Sequence, residues 1–295
     1  MIGRTLKFIR EEKCFSQKYV ANAIFSPSQF SKIESDDQNL TAENLIKLLN
    51  RLCVTFDEFC LFTEDDHIKA RVQSKHYVAE LYANQSQLQE GIEKMDIYYE
   101  KFKDVYFYHI SCLLKAMHTL LATNNDYEKA RKELAPVADY LASTGNWFYY
   151  ELSLFTNVLY LYPRKTAISE GKSALKKINE QYERFKDYDI TRSLLINLAI
   201  YSLDEKQYMQ SLEFSCKILA FPPSTNYLYD ALLAKIVSQV AYYKLNSVEY
   251  DKQYLSSLIN NFKFSRLDNI YKQALDFASK HGISLDEHSL KDSNL

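Results

Sequence analysis

The residues between 26 and 32, Ser-Pro-Ser-Gln-Phe-Ser-Lys, carry the chemistry best suited to a partner. At helical spacing Phe30 and Ile33 share one face, which turns Ser28, Gln29, Ser31 and Lys32 outward. Hydroxyls and a planar amide are donors and acceptors sized for base edges, and an ammonium reaches phosphate. A second group is asparagine set among apolar neighbours: Asn157 in LSLFTNVLYLY and Asn197 in TRSLLINLAIYS. An asparagine amide offers two donors and an acceptor, matching the backbone of an extended peptide. The same amide could equally satisfy a neighbouring helix end or a water, since it would be costly if left unpaired in an apolar wall. Tyr160, Tyr201 and Gln239 complete the candidate peptide contacts.

Catalytic and metal chemistry finds no such support. The six histidines (His67, His76, His109, His118, His281 and His288) show no H-E-x-x-H arrangement and no close carboxylate at ligand spacing. His109 and Cys112 lie one turn apart, without a second pair to complete a metal site. The sequence holds no G-x-G-x-x-G, G-x-x-x-x-G-K or G-x-S-x-G, and its five glycines leave little for phosphate-cradling loops. The expectation is a protein that is not an enzyme and uses no cofactor or metal.

The elements that must position the 26–32 face are helices with clear punctuation. A first helix reads from Gly3 to about Lys13, with Leu6 and Ile9 inward. Ser16 is an N-cap for a second, burying Val20, Ala21 and Ile24. After Phe25 the signal repeats, with Ser26 as N-cap and Pro27 at the first helical position, where its missing N–H costs nothing. The third helix runs from Pro27 to Glu34. Thr41 caps Ala42–Arg51, with Leu45, Leu48 and Leu49 inward, and Thr55 caps Phe56–Phe62. Two short helices joined by a tight turn, the second with a polar outer face, have helix-turn-helix geometry. Arg10, Gln17, Lys18 and Ser26 join Ser28, Gln29, Ser31 and Lys32 as candidate contacts to double-stranded DNA. Although the net charge is −2, residues 1–33 hold six basic side chains against Glu11 and Glu12, a local surplus of four. Phosphate docking needs such a surface.

Beyond residue 65 amphipathic helices follow one another, with breaks at Asn124-Asn125-Asp126, Thr144-Gly145-Asn146, Pro163, Lys186-Asp187, Pro222-Pro223, Asn246-Ser247 and Gly282. Corresponding helices start near 104, 146, 188 and 225, an interval of about 40 residues that indicates stacked hairpins. Pro136 falls inside the stretch 126–142 and should kink or restart that helix. Trp147, the sole tryptophan, is read as packing between repeats. Gly and Pro number five each against 24 Tyr and 17 Phe, which fits an all-α protein, because sheets and tight hairpins consume glycine. The five cysteines are odd in number and never spaced C-x-x-C, so they read as reduced thiols. No secretory leader pattern opens the sequence, and no apolar run of about 18 residues crosses it, so a cytoplasmic protein is expected.

The first sixty residues resemble the lambda-repressor-like (Xre-type) helix-turn-helix family, through Ser16-Gln17, Ala21, the Ser-Gln-Phe-Ser-Lys-Ile-Glu run and the Asp57-Glu58-Phe59 ending. Two glycines common in that family are replaced, by Phe25 between the second and third helices and by Asp36 after the third. With NWFYYELSLFTN around Trp147, Tyr150 and Glu151, and LLINLAI around Asn197, the whole chain is similar to the Rgg/GadR/MutR regulators of the peptide-responsive RRNPP group. The resemblance implies a DNA-binding domain at 1–63 and a right-handed superhelix of tetratricopeptide-like hairpins at 64–285, followed by a polar tail at 286–295. It further implies a homodimer on a palindromic promoter site and a short hydrophobic signalling peptide bound in the concave groove. A regulator of the same build without a peptide ligand, acting constitutively or through a protein partner, is the alternative.

Overall fold

In the computed structural model residues 1–83, 85–123, 126–181, 189–222 and 227–285 are described, and they form helices and turns with no strand among them. The expected breaks at Asn124, Asn125, Lys186, Asp187 and Pro223 and the expected tail at 286–295 lie outside the described residues. The chain divides into two compact units, Met1–Asp126 and Tyr127–Leu295.

The first unit contains α1 (Ile2–Glu12), α2 (Gln17–Ala21), α3 (Pro27–Glu34), α4 (Ala42–Leu52), α5 (Phe56–Phe62), α6 (Asp66–Ala83), α7 (Leu88–Phe102) and α8 (Val105–Ala122). Helices α2 to α5 begin where short hydroxylated side chains can hold free backbone N–H groups. Ser16, Ser26, Thr41 and Thr55 accept from the N–H of Tyr19, Gln29, Asn44 and Glu58. Each such cap contributes about 1 kcal/mol. Leu6, Ile9, Val20, Ala21, Phe30, Ile33, Leu48, Leu49 and Leu52 meet in one core with Phe59, Cys60 and Val72, while Ile24 and Leu45 are only partly buried against it.

The helix ends use a device that composition hides. Cys14, Ala23, Asp36 and Cys53 follow α1 to α4 with φ between 52° and 62°. This left-handed region ordinarily favours glycine. The missing glycine between α2 and α3 is therefore replaced by Ala23, and the bend lies two residues earlier than Phe25. Ser26-Pro27 starts the next helix and does not make the turn. Gly3 is required by close approach: a Cβ there would stand 1.6 Å from the Ile33 carbonyl oxygen.

The second unit holds α9 (Tyr127–Glu133), α10 (Ala135–Ser143), α11 (Tyr149–Val158), α12 (Arg164–Gln181), α13 (Asp189–Asp204), α14 (Tyr208–Leu219), α15 (Leu228–Lys244), α16 (Lys252–Phe264) and α17 (Asp268–Lys280). The helix expected at 126–142 is split, with Pro136 in the first turn of α10, where its lost donor is harmless. Helix α13 packs on its sequence neighbours α12 and α14 and also on α11 and α15, so α11, α13 and α15 form one wall. Left-handed Lys206, Asn246 and Arg266 close the turns after α13, α15 and α16. Trp147 donates from Nε1 to the Leu141 carbonyl at 3.2 Å, packs on Phe155 with ring centroids 5.2 Å apart, and lies under the Lys177 ammonium.

Candidate nucleic-acid interface and repeat wall

Helix α3 presents Ser28, Gln29, Ser31 and Lys32 to solvent, with its N-cap Ser26 exposed beside them. Phe30 and Ile33 are buried on the opposite face, as are Val20 and Ala21 of α2. Lys18 is exposed on α2, and so is Tyr19, at 54%. Tyr19 leaves no clear signal in the sequence, because an aromatic three residues after a cap is as consistent with core as with surface. Ser26 and Gln29 form a reciprocal capping box, and Ser28 Oγ lies 3.3 Å from Ser26 Oγ.

Two expected contacts face elsewhere. Arg10 is only 8% exposed, and its guanidinium donates to both oxygens of the buried Glu34, at 2.6 and 2.8 Å, and to the Phe15 carbonyl at 3.0 Å. Hydrogen bonding to Glu34 raises the Arg10 pKa further above its ordinary value. Half-buried Gln17 donates from Nε2 to Glu34 Oε2 at 2.7 Å. Glu34, at the end of α3, thus ties α1 and the start of α2 to the outward-facing helix, and Arg10 and Gln17 position that helix. Arg4 is likewise paired, with Asp36 and Glu64. Among the described residues Lys7, Lys13, Lys18 and Lys32 have no ion pair, so the positive surface comes from lysines.

On the repeat wall Asn157 is exposed and Asn197 half-buried, and neither amide has a hydrogen-bond partner among the described residues. They stand on α11 and α13, which pack together. Tyr160 is partly buried, and burial pushes its hydroxyl up to about 12. Tyr201 is 5% exposed, with the Arg164 guanidinium 4.1 Å from its ring centroid and a hydroxyl likewise pushed up to about 12 by burial. Gln239 faces inward as well: Oε1 accepts from the Asp251 N–H at 2.8 Å, and Nε2 donates to the Glu249 carbonyl at 3.3 Å. Its amide clasps the turn leading into α16 and is not presented to solvent. The Glu151 of the W-x-x-Y-E-L stretch caps α11, accepting from the Phe148 N–H at 2.8 Å and the Tyr140 hydroxyl at 2.5 Å.

Residues 85–274 match the family described as HTH-type transcriptional regulator Rgg, C-terminal domain, and residues 6–59 match a helix-turn-helix family. The chain belongs to the Rgg family. It is a transcription regulator with a helix-turn-helix DNA-binding domain. The Streptococcus dysgalactiae SHP pheromone receptor Rgg2 shares the fold with this Rgg-family chain at 23% identity and a TM-score of 0.67, over 95% of this chain and 99% of that one. Bacillus thuringiensis PlcR, in a structure with the peptide PapR7 and DNA, is similar at 17% identity and a TM-score of 0.63, over 95% and 96% of the two chains. PrgX in a complex with iCF10 matches at 15% identity and a TM-score of 0.64, over 97% and 99%. No helix among the described residues is long and apolar enough to cross a membrane.

Proposed function

We propose that this Rgg-family regulator reads DNA through the outer face of α3, within a domain spanning 1–63, and senses a short hydrophobic peptide on the wall of α11, α13 and α15. Residues 64–285 would carry both the sensing and the homodimer contacts. A dimer would set two copies of α3 in successive major grooves, about 34–36 Å apart. The observation that carries the DNA reading is the exposure of Ser28, Gln29, Ser31 and Lys32 above a buried Phe30–Ile33 face. Lys18 and Lys32, with the exposed Tyr19 hydroxyl, suit phosphate; Ser28, Gln29 and Ser31 suit base edges. Ser26 contributes through its cap.

The peptide reading rests on the two amides at Asn157 and Asn197, accessible and without protein partners on neighbouring helices. An extended peptide offers the alternating donors and acceptors they lack. The relatives point the same way, since Rgg2 is named a pheromone receptor and the PlcR structure holds both peptide and DNA. Peptide binding would act on DNA engagement by favouring one conformation of the regulator over another.

Synthetic short hydrophobic peptides, translated from small reading frames beside the gene, provide the test in calorimetry. Asn157→Ala and Asn197→Ala are each expected to weaken binding about tenfold, the equivalent of one lost hydrogen bond of about 1.4 kcal/mol, with the melting temperature unchanged. A wild-type protein that binds none of these peptides, or alanine variants that bind as well as wild type, would overturn the sensing role. In gel shifts with the gene's own upstream DNA, Lys32→Ala should weaken all duplexes evenly, whereas Ser28→Ala should mainly reduce discrimination.

A further inference from the structure

The capping box at the start of α3 fixes which half of the Gln29 amide can meet DNA. Ser26 Oγ accepts from the Gln29 backbone N–H at 3.3 Å. In return Gln29 Oε1 accepts from the Ser26 N–H at 3.2 Å and from the Ser26 hydroxyl at 2.9 Å. An amide oxygen has two acceptor sites, and both are occupied within α3 itself. Turning the amide over would set its NH2 against the Ser26 N–H, donor facing donor, so chemistry dictates the orientation. Gln29 is exposed, and its Nε2 has no acceptor among the described residues.

A glutamine with both ends free reads adenine by accepting from the N6 amino group while donating to N7. Gln29 cannot make that pair without opening its own cap. We infer that Gln29 acts as a donor-only reader that prefers the O6/N7 edge of guanine, because the two N–H groups of its NH2 match two acceptors there, whereas thymine offers O4 alone beside a methyl. The inference rests on the proposed reading of DNA by α3 and narrows it from any base edge to one class. Every polar atom of the amide then has a use, with the oxygen holding the helix start and the nitrogen contacting the groove.

The test begins with selection of a binding site from random duplexes by the full-length protein. Each guanine in the selected site is then replaced singly by 7-deazaguanine, and each adenine by a purine lacking the N6 amino group. One guanine replacement is expected to weaken the wild-type complex about tenfold. Gln29→Glu keeps the capping box, because glutamate accepts the same N–H, but has no donor to offer. It should melt like wild type and bind the guanine and 7-deazaguanine duplexes equally; Gln29→Met, which loses the capping box, should melt lower but show the same indifference to 7-deazaguanine. Guanine sensitivity that persists in both variants would overturn the assignment. So would wild-type sensitivity at an adenine N6 that disappears in the variants, an outcome that leaves the DNA reading by α3 intact. Recovery of no preferred sequence at all would remove that reading and the inference together.

Discussion

The α1–α5 bundle and the α11–α13–α15 wall handle polar side chains in opposite ways. In the bundle nearly every expected polar contact is at the surface, and the two that are not, Arg10 and Gln17, converge on one buried carboxylate. On the wall the expected set divides. Asn157 and Asn197 remain accessible, while Tyr201 lies under Arg164 and Gln239 holds the next turn. A small bundle has one core, so a polar residue off the core stripe faces water. Stacked hairpins have an interior between every layer, and a polar residue there can serve the following loop. The difference teaches that helical pattern places polar side chains at the surface of a small bundle well and along a wall of stacked hairpins poorly.

The sharpest way to break this comparison is at Glu34. Glu34→Ala strands the buried Arg10 guanidinium and releases Gln17, a loss expected to cost about 3–5 kcal/mol. Calorimetric unfolding of the domain should show it, together with lost DNA binding. Trp147 lies in the second unit and is the sole tryptophan, so its fluorescence transition should stay in place. Arg10→Met with Glu34→Leu should recover most of that stability, because a matched apolar pair removes both charges. If Glu34→Ala melts like wild type, Arg10 is not a positioning residue and returns to the DNA-contact set.

Gln239→Ala is the corresponding test on the wall. It leaves the Asp251 N–H and the Glu249 carbonyl without their partner, at a cost of about 1–3 kcal/mol. The Trp147 transition should now move, and DNA affinity at low temperature should not. Unchanged stability combined with weakened peptide binding would instead place Gln239 on the ligand side.

What the sequence made legible follows the range of each interaction. The caps at Ser16, Ser26, Thr41 and Thr55 are readable because a cap and its N–H lie three residues apart. Pro136 is readable because its ring acts on its own turn. The bond from Arg10 to Glu34 spans 24 residues, and that from Asp251 to Gln239 spans 12, so neither leaves a local signal. Asparagine pattern alone does not separate Asn157 and Asn197 from amides already satisfied, since the two cases look identical until the neighbours are placed. Composition misleads in one respect: scarce glycine does not mean few left-handed turns, because Cys14, Ala23, Asp36, Cys53, Lys206, Asn246 and Arg266 adopt them.

Asp36 gives the bundle an acid sensitivity of its own. Burial works to raise its pKa, but hydrogen bonds from the amino terminus, Arg4 and the Gly3 N–H outweigh that and lower it from 3.8 to about 2. A carboxyl depressed in the folded state contributes stability that is fully present above its unfolded value and is lost as pH falls through the folded one. The bundle should therefore weaken between about pH 3.8 and pH 2. Asp36→Asn tolerates the same left-handed backbone and should reduce that slope in acid melts followed by circular dichroism of the bundle. A slope unchanged in the variant would assign the acid sensitivity to other carboxylates.

The smallest expected effect bears on the device both regions share. Ala23 at φ 59° carries the left-handed strain without the short polar side chain that helps Asp36 or Asn246. Ala23→Gly relieves a penalty of about 1–2 kcal/mol but loosens the unfolded chain, so a net gain of about 0.5–1 kcal/mol is expected. Ala23 is exposed, so lost packing should offset little of the gain. The same exchange at Lys206 is the counterpart in the second unit, where the left-handed residue closes a helix end, with the Gln207 N–H bonded to the Ser202 carbonyl, and a similar gain is expected. A stabilisation seen at Lys206 but absent at Ala23 would mean that the α2–α3 turn holds its strain for a reason other than economy of glycine, and a more mobile α3 on DNA would be the first consequence to measure.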